Sequence, residues 1–589
     1  MRTVLRPALL VAALASATTT LAKPSAVHGN GRTETISLAQ AMDHPDWIGP
    51  PVEQLWWSAD STHVAYTKKR AGSPVRDVFR QPAAGGAAVR LEGASLAEAD
   101  APQPLFDAAR TRMAYLRHGD VFVVTLADGV RQQLTQGPEE ETDLRFAADG
   151  GGLLWRVGPE WRGWRFAEGR ERTLALLKAE RDPQAPPPPD ALREVELRLI
   201  TTLARQREER AALAAEAAAQ RDADPTRSIA PTYLGDDVVL AASHLSTDGR
   251  HLLVALEPKD TDPGRRGQMP VFITESGYEE SEPVRTRVGR NPPVGQSFRL
   301  VDLADGRVAT LDLATLPGID VDPLAELRRR HQQPPLSGLR PVRLMDLRFG
   351  PDGSPLAMLR SVDNKDRWIV RIDRADASIA TVHRLTDPAW INWNFNDFGV
   401  LPDGRAWWLS EQSGFSHLYV EDGRRARALT SGRWEASLPV LDAEARHFLF
   451  LCNRAWPGDY EICRVPVAGG EVRELTAIDA VEDFSLSPDG RQIALRWSRR
   501  FTPPQAGVVG IEGGELRKLT DTRSAEFRAF PWRDPQLVQV PSRHGAGTIW
   551  GKLHAPVSMQ PGRSYPVVMF VHGAGYLQNV HQRWPQYFR

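Results

Sequence analysis

The residues of this 589-residue chain whose types and spacing could do chemistry lie near its C-terminal end. There Tyr565-Pro566-Val567-Val568-Met569-Phe570-Val571 leads into His572-Gly573-Ala574-Gly575. Five apolar residues, Val567 to Val571, are too few for a buried helix and suit a buried strand, and the glycines after them make a flexible turn. Such a turn offers backbone N–H groups, and sometimes a side chain, to the charge that develops on a carbonyl oxygen during acyl transfer. That chemistry also needs a nucleophile on a sharp elbow of the form G-x-S-x-G. None occurs; Gly414-Phe415-Ser416-His417-Leu418 comes near but lacks the second glycine. Everything upstream therefore reads as the partner of a domain that is mostly absent.

The only two cysteines, Cys452 and Cys463, flank Ala455-Trp456-Pro457-Gly458-Asp459. With Pro457-Gly458 at the centre of a hairpin turn they would face each other across the ladder, within reach of a disulfide. The alternative is two small buried hydrophobes. Two thiols are too few for a metal site of their own, and no metal or organic cofactor is implied.

Bulk composition narrows the classes. At 589 residues, 41% hydrophobic and 25% charged, the chain is an ordinary globular protein with two or more cores. Its 73 basic and 74 acidic residues nearly cancel, so no global field recruits nucleic acid or an anionic membrane. Arg2 and Arg6, the apolar stretch through Leu9, Leu10, Val11 and Leu14, and small residues ending at Ala17 or Ala22 make an export signal. The apolar run is shorter than the ~20 residues a membrane span needs, which disfavours a retained anchor. A periplasmic or extracellular protein, with no stable membrane insertion and free to form disulfides, is expected.

Two markers recur and set the architecture. One is a tight S-P-D-G turn between short apolar strands, clearest at Ser487-Pro488-Asp489-Gly490. It is repeated at Ala148-Asp149-Gly150, Ser246-Thr247-Asp248-Gly249, Gly350-Pro351-Asp352-Gly353 and Pro402-Asp403-Gly404, with degenerate copies at Ser58-Ala59-Asp60 and Asp442-Ala443-Glu444. The other is Leu-Thr closing a strand, at Thr135, Thr386, Thr430, Thr476 and Thr520. The last four threonines lie 44, 46 and 44 residues apart, the length of one four-stranded propeller blade. Seven or eight blades are expected between about Leu55 and Thr520.

The spacing breaks twice. An insertion beginning with Trp155, Trp161 and Trp164 passes through Pro186 to Pro189 into one long helix, Ala191 to about Arg221, with Asp190 as N-cap and Asp224-Pro225 as stop. It is either a solvated arm or a contact to a second subunit or a lid over the substrate entrance. The second break, Pro263 to about Leu347, carries the acidic stretch Glu275 to Glu282, which reads as a solvated loop face, before a strand at Phe298 to Asp302. After Thr520 the blade markers stop, and Ile549 to Pro556 followed by the Tyr565 strand opens a new domain.

An export signal, a propeller, then a strand, a Tyr-Pro, an apolar strand and an HG turn resemble, in that order, the prolyl oligopeptidase family of serine peptidases, most closely its dipeptidyl-peptidase IV branch. The stretches that carry the likeness are Tyr565 to Gly573, Val284 to Leu303 with Arg287-Val288-Gly289-Arg290-Asn291-Pro292, and Leu55-Trp56-Trp57-Ser58. The resemblance implies a mainly β chain, a seven- or eight-bladed β-propeller followed by the first strands of an α/β-hydrolase domain. The implied boundaries are a signal peptide at 1–22, a propeller at 33–530 with a helical insertion at 165–225, and an incomplete hydrolase domain at 531–589. It implies a serine exopeptidase acting on short peptides, with the triad in the order Ser, Asp, His beyond Arg589, so that the chain is truncated and inactive as it stands. His554, His572 and His581 are then not the triad base. His572 takes the place of a tyrosine that donates to the oxyanion, and either donates through its imidazole or only shapes the turn. The branch also holds the substrate's free amine with paired carboxylates; Asp236 and Asp237, or Glu279 and Glu280, are the candidates. A homodimer is a further expectation. The competing function is a non-catalytic exported propeller that binds a partner, which leaves residues 549–589 without a role.

Overall fold

In a computed structural model, the described residues are 36–185, 190–224, 226–261, 265–286, 294–423, 425–545, 547–556, 558–571 and 578–585. The expected signal peptide, Pro186 to Pro189, the Arg287 to Pro292 motif and His572 lie outside them.

Eight sheets form the blades, seven of four strands and the third of four plus a short parallel fifth, Thr232–Tyr233. They span 52–90, 105–133, 142–178, 238–310, 342–386, 398–428, 436–474 and 481–518. Within each blade the four strands run antiparallel, and the second and third are the most buried, almost wholly so in Pro355–Ser361 and Asp366–Ile372 and less so in Arg76–Pro82 of the first blade and Glu160–Arg165 of the third. The fourth strand is exposed, as in Val89–Arg90 and Arg517–Lys518. Apolar residues alternate toward both neighbours, so each pair of adjacent blades encloses its own cluster. The ring closes by such packing rather than by a shared strand. Val52, Trp57, Val64 and Tyr66 of the first blade bury against Ala494, Ala506 and Val508 of the eighth, and Trp57 Nε1 donates to the Ser485 carbonyl at 3.0 Å.

Both sequence markers have a physical basis here. In the S-P-D-G turn the Ser487 hydroxyl donates to Asp489, accepts the Gln492 N–H at 2.9 Å, and leaves Gly490 at φ 70°. Where glycine is missing the chain still takes the left-handed conformation, at Ser61 (φ 60°) and Ala445 (φ 51°). Asp107-Ala108-Ala109-Arg110, with Arg110 at φ 51°, is the second blade's turn, and it carries no Asp-Gly to mark it in the sequence. The Leu-Thr marker is a clasp. Thr476 Oγ1 accepts the Ile462 N–H at 2.9 Å and donates to Glu461, whose carboxylate also accepts the N–H groups of Ile478 and Asp479. Thr520 does the same with Ala506 and Gln505, and Thr430 with Leu418 and His417. Each clasp ties the third strand to the link that leads into the next blade.

Because the strands alternate in direction, every link between blades and every second-to-third-strand loop lies on one face, the loop face. The S-P-D-G turns lie on the other, the turn face. Both insertions root in the loop face. The helical one is shorter than expected at its start: Trp155, Trp161 and Trp164 belong to strands Gly152–Val157 and Glu160–Arg165 of the third blade. It is also broken in two, Ala191–Leu199 and Thr201–Ala223. Asp190 caps the first helix by accepting the Arg193 N–H at 2.9 Å. The break is at Ile200, extended at φ −110° and ψ 90°, where three β-branched residues in a row, Ile200-Thr201-Thr202, weaken helix propensity. The other insertion is a hairpin arm, Arg266–Val271 paired with Glu280–Thr286.

Beyond the ring, Gln536–Pro541 pairs with Thr548–Leu553. The expected buried strand at Val567 to Val571 is not realised among the described residues. The five side chains are 61–97% exposed, and none of the five lies in a strand.

Candidate functional site on the loop face

The segment after the ring, residues 521–585, is fastened to the loop face of the seventh, eighth and first blades. Ser524 N–H donates to the Ile48 carbonyl at 2.9 Å, and Gly49, at φ 107°, leaves room for a Thr522 carbonyl that a Cβ would meet at 2.0 Å. Phe501 stacks on Trp532 at 4.9 Å and Trp456 packs on Trp550 at 5.1 Å. Residues 578–584 then cross the loop 453–460. Gln582 N–H reaches the Gly458 carbonyl at 2.9 Å, Arg583 lies 3.7 Å over the Tyr460 ring and donates to the Val481 carbonyl, and Trp584 N–H reaches Ser498 Oγ at 2.9 Å. His581 is pushed down to about 4, chiefly by burial and then by Lys552 and Arg583, so the imidazole is neutral in this contact.

The two cysteines of the loop's flanking strands, His447–Cys452 and Glu461–Pro466, are joined, with Cα atoms 5.9 Å apart. They are not opposite one another: Cys452 pairs with Glu461 and Phe450 with Cys463, so the bridge is diagonal across an eight-residue loop, 453–460.

On the same face three carboxylates stand in partly dry positions. Burial pushes Glu411 up, and the neighbouring charge of Glu435 adds to it, while a hydrogen bond from Asn392 opposes it. Glu435 is raised by burial against a hydrogen bond from Asn453. Asp459 is raised to about 7, by burial and then by Glu461, Asp479 and Glu474, and one of its oxygens is buried without a hydrogen bond. None of the three forms an ion pair among the described residues. A cationic group arriving here would meet carboxylates whose charge is poorly compensated, which is the arrangement that binds an amine or exchanges protons near neutrality. Asp459, Glu461 and Asp479 approach within 4.8 Å, yet Glu461 already accepts three donors as a clasp, so this group is not arranged first of all for a metal ion.

The expected amine-binding pairs are placed but not brought together. Asp236 and Asp237 are exposed on the link just before Val238–Leu245. Glu279 and Glu280 are exposed near the tip of the hairpin arm, where Glu280 accepts the Ser276 hydroxyl at 2.6 Å. All four root in the loop face. Glu411, Glu435 and Asp459 were missed, although they are spaced by 24 residues each, half a blade, which returns the chain to the same face every time.

A closed eight-bladed propeller with insertions and a following segment on one face defines the class of protein. Residues 344–504, essentially the last four blades, match the family described as the dipeptidyl peptidase IV (DPP IV) N-terminal region. Human dipeptidyl peptidase 8 is 27% identical over 179 residues, covering 28% of this chain and 20% of that protein's length. The Porphyromonas gingivalis dipeptidyl peptidase 4 structure superposes over 93% of this chain and 71% of its own, with a TM-score of 0.57 and 15% identity. A putative dipeptidyl aminopeptidase IV from Bacteroides ovatus does so over 91% and 69%, with a TM-score of 0.54 and 12% identity. These similarities agree with the resemblance seen in the sequence: residues 344–504 are similar to the DPP IV N-terminal region, and the fold is similar to that of the two solved structures.

Proposed function

We propose that this chain is the propeller portion of an exported serine-type exopeptidase that acts on short peptides. The observation that carries the reading is the fastening of residues 578–584 across the loop 453–460, which brings the segment after the ring against the loop face beside Asp459. The similarity of residues 344–504 to the DPP IV N-terminal region gives independent support. In this reading the loop face meets the peptide, its free amine lies against carboxylates, and acyl transfer takes place at a serine that these 589 residues do not supply in a G-x-S-x-G motif. Asp236, Asp237, Glu279 and Glu280 remain candidates for the amine, joined by Glu411 and Glu435. His572 remains the candidate oxyanion donor. The Cys452–Cys463 bridge and the N-terminal apolar segment support export.

The test is an assay on a chromogenic Xaa-Pro dipeptide substrate, with the 589-residue chain and with the product of the complete reading frame. Turnover is expected only from the latter, with loss of activity after labelling by a serine-directed phosphonate. Turnover by the 589-residue chain alone, or a complete product that neither turns over nor takes the label, contradicts the proposal.

A further inference from the structure

On the turn face, away from everything above, a cavity of about 350 Å³ opens between the fourth and fifth blades. Asp248, Arg250, His251, Asp302, Arg307 and Arg374 line it. Its two carboxylates already accept three hydrogen bonds each. Asp302 accepts two bonds from Arg250 and one from the Ala304 N–H. Asp248 accepts the Ser246 hydroxyl, the Arg250 N–H at 3.0 Å and Arg374 Nη1 at 3.0 Å. Donors remain over. Arg307 makes no ion pair or side-chain hydrogen bond among the described residues, and Arg374 spends a single N–H on Asp248. His251 is 7% exposed, and its buried Nδ1 has no hydrogen bond, the nearest carboxylate oxygen being that of Asp248 at 3.8 Å. A guanidinium carries five N–H donors and no acceptor, so a site with acceptors engaged and donors to spare matches an acceptor-rich oxyanion.

We propose that this cavity binds a small oxyanion of the phosphate or sulfate type, held by Arg307 and Arg374 over His251. Gly353 belongs to the design: a Cβ there would meet Arg374 Nη1 at 3.2 Å and Asp248 Oδ2 at 3.1 Å, so the turn of the fifth blade lets the guanidinium reach across. The site is independent of the peptidase reading, since it lies on the opposite face.

The test is calorimetric titration of the full chain with inorganic phosphate at constant ionic strength, with sodium sulfate in parallel and sodium chloride as control. Saturable binding with one site per chain is expected for phosphate or sulfate, weakened at least tenfold in Arg307→Ala. That substitution breaks no ion pair, so its melting temperature without phosphate should equal that of the unaltered chain. The rise in melting temperature with phosphate should be lost in it. Arg405→Ala, on the same face in the sixth blade and paired with Asp403, should bind normally. Absence of saturable heat for both anions, equal binding by Arg307→Ala, or the same response to chloride overturns the proposal.

Discussion

The last four blades and the first four obey the same packing rules and differ in how they are connected. In blades six to eight the threonine clasps recur every 44 to 46 residues, and throughout blades five to eight the links between blades are short. This is also the half that matches the DPP IV N-terminal region. Blades one to four carry the helix pair, the hairpin arm and two turns, at Ser61 and Arg110, that lack the expected glycine. The middle strands are more completely buried in the second half, Arg76–Pro82 and Glu160–Arg165 of the first being largely half-buried, yet every blade keeps its four strands, so the ring tolerates insertions that leave from a loop-face connection and not from a strand. The insertions of the first half and the carboxylates of the second thus end on one face, while the turn face stays regular.

The contrast between packed ring and added arms is broken most severely in the core. Trp408→Ala, fully buried in the sixth blade, should cost about 3–5 kcal/mol in denaturant unfolding. Leu213→Ala on the longer helix, 71% exposed, should change stability by less than about 0.5 kcal/mol. Equal effects would mean that the arm is part of the core.

The clasps sharpen the same contrast. Thr476→Val leaves the Ile462 N–H and buried Glu461 short of a partner and should cost about 1–3 kcal/mol. Thr135→Val, whose carboxylate partner Asp120 is half-buried and 3.4 Å away, should cost less. Equal destabilisation would show that the clasp acts alike in both halves.

The turns come next. Gly490→Ala, at φ 70°, should destabilise by about 1–2 kcal/mol. Ala445→Gly, at φ 51°, should be neutral or stabilising by under about 1 kcal/mol, since relief of strain is offset by added chain entropy. A loss in Ala445→Gly as large as in Gly490→Ala would contradict the strain argument.

The smallest effect is one of pH. The Asp459 carboxyl rises from 3.8 to about 7 on folding, so the folded chain holds a proton that the unfolded chain has released across that window. Stability contributed by this group therefore falls as pH rises from about 4 to about 7 and is constant above it. Asp459→Asn should flatten that dependence and gain about 1 kcal/mol at pH 8, the shift being discounted for partial solvent screening. An unchanged pH profile would place the carboxyl in a wetter setting.

The propeller itself was legible in the sequence because Asp-Gly turns and strand-ending threonines report local geometry. The count of eight was not, since Asp107-Ala108-Ala109-Arg110 reaches the same backbone conformation with none of the usual residues. Trp155, Trp161 and Trp164 looked like an insertion because aromatic strands carry no turn marker. The helix break at Ile200 is marked only by three β-branched residues, a weak signal beside a helical pattern that continues on both sides. The site was the least legible part. Glu411, Glu435 and Asp459 become neighbours in environment only after the chain has folded back on itself, and their significance lies in burial, which no single residue announces.

The proposed function requires that the loop face meets the peptide and the turn face does not. Amide hydrogen exchange of the chain with and without a millimolar tripeptide bearing proline at its second position tests this directly. Slowed exchange confined to residues 387–397, 411–416, 431–436 and 453–460 is expected. Protection at the turns 246–249, 350–353 and 487–490, or none on the loop face, would contradict it.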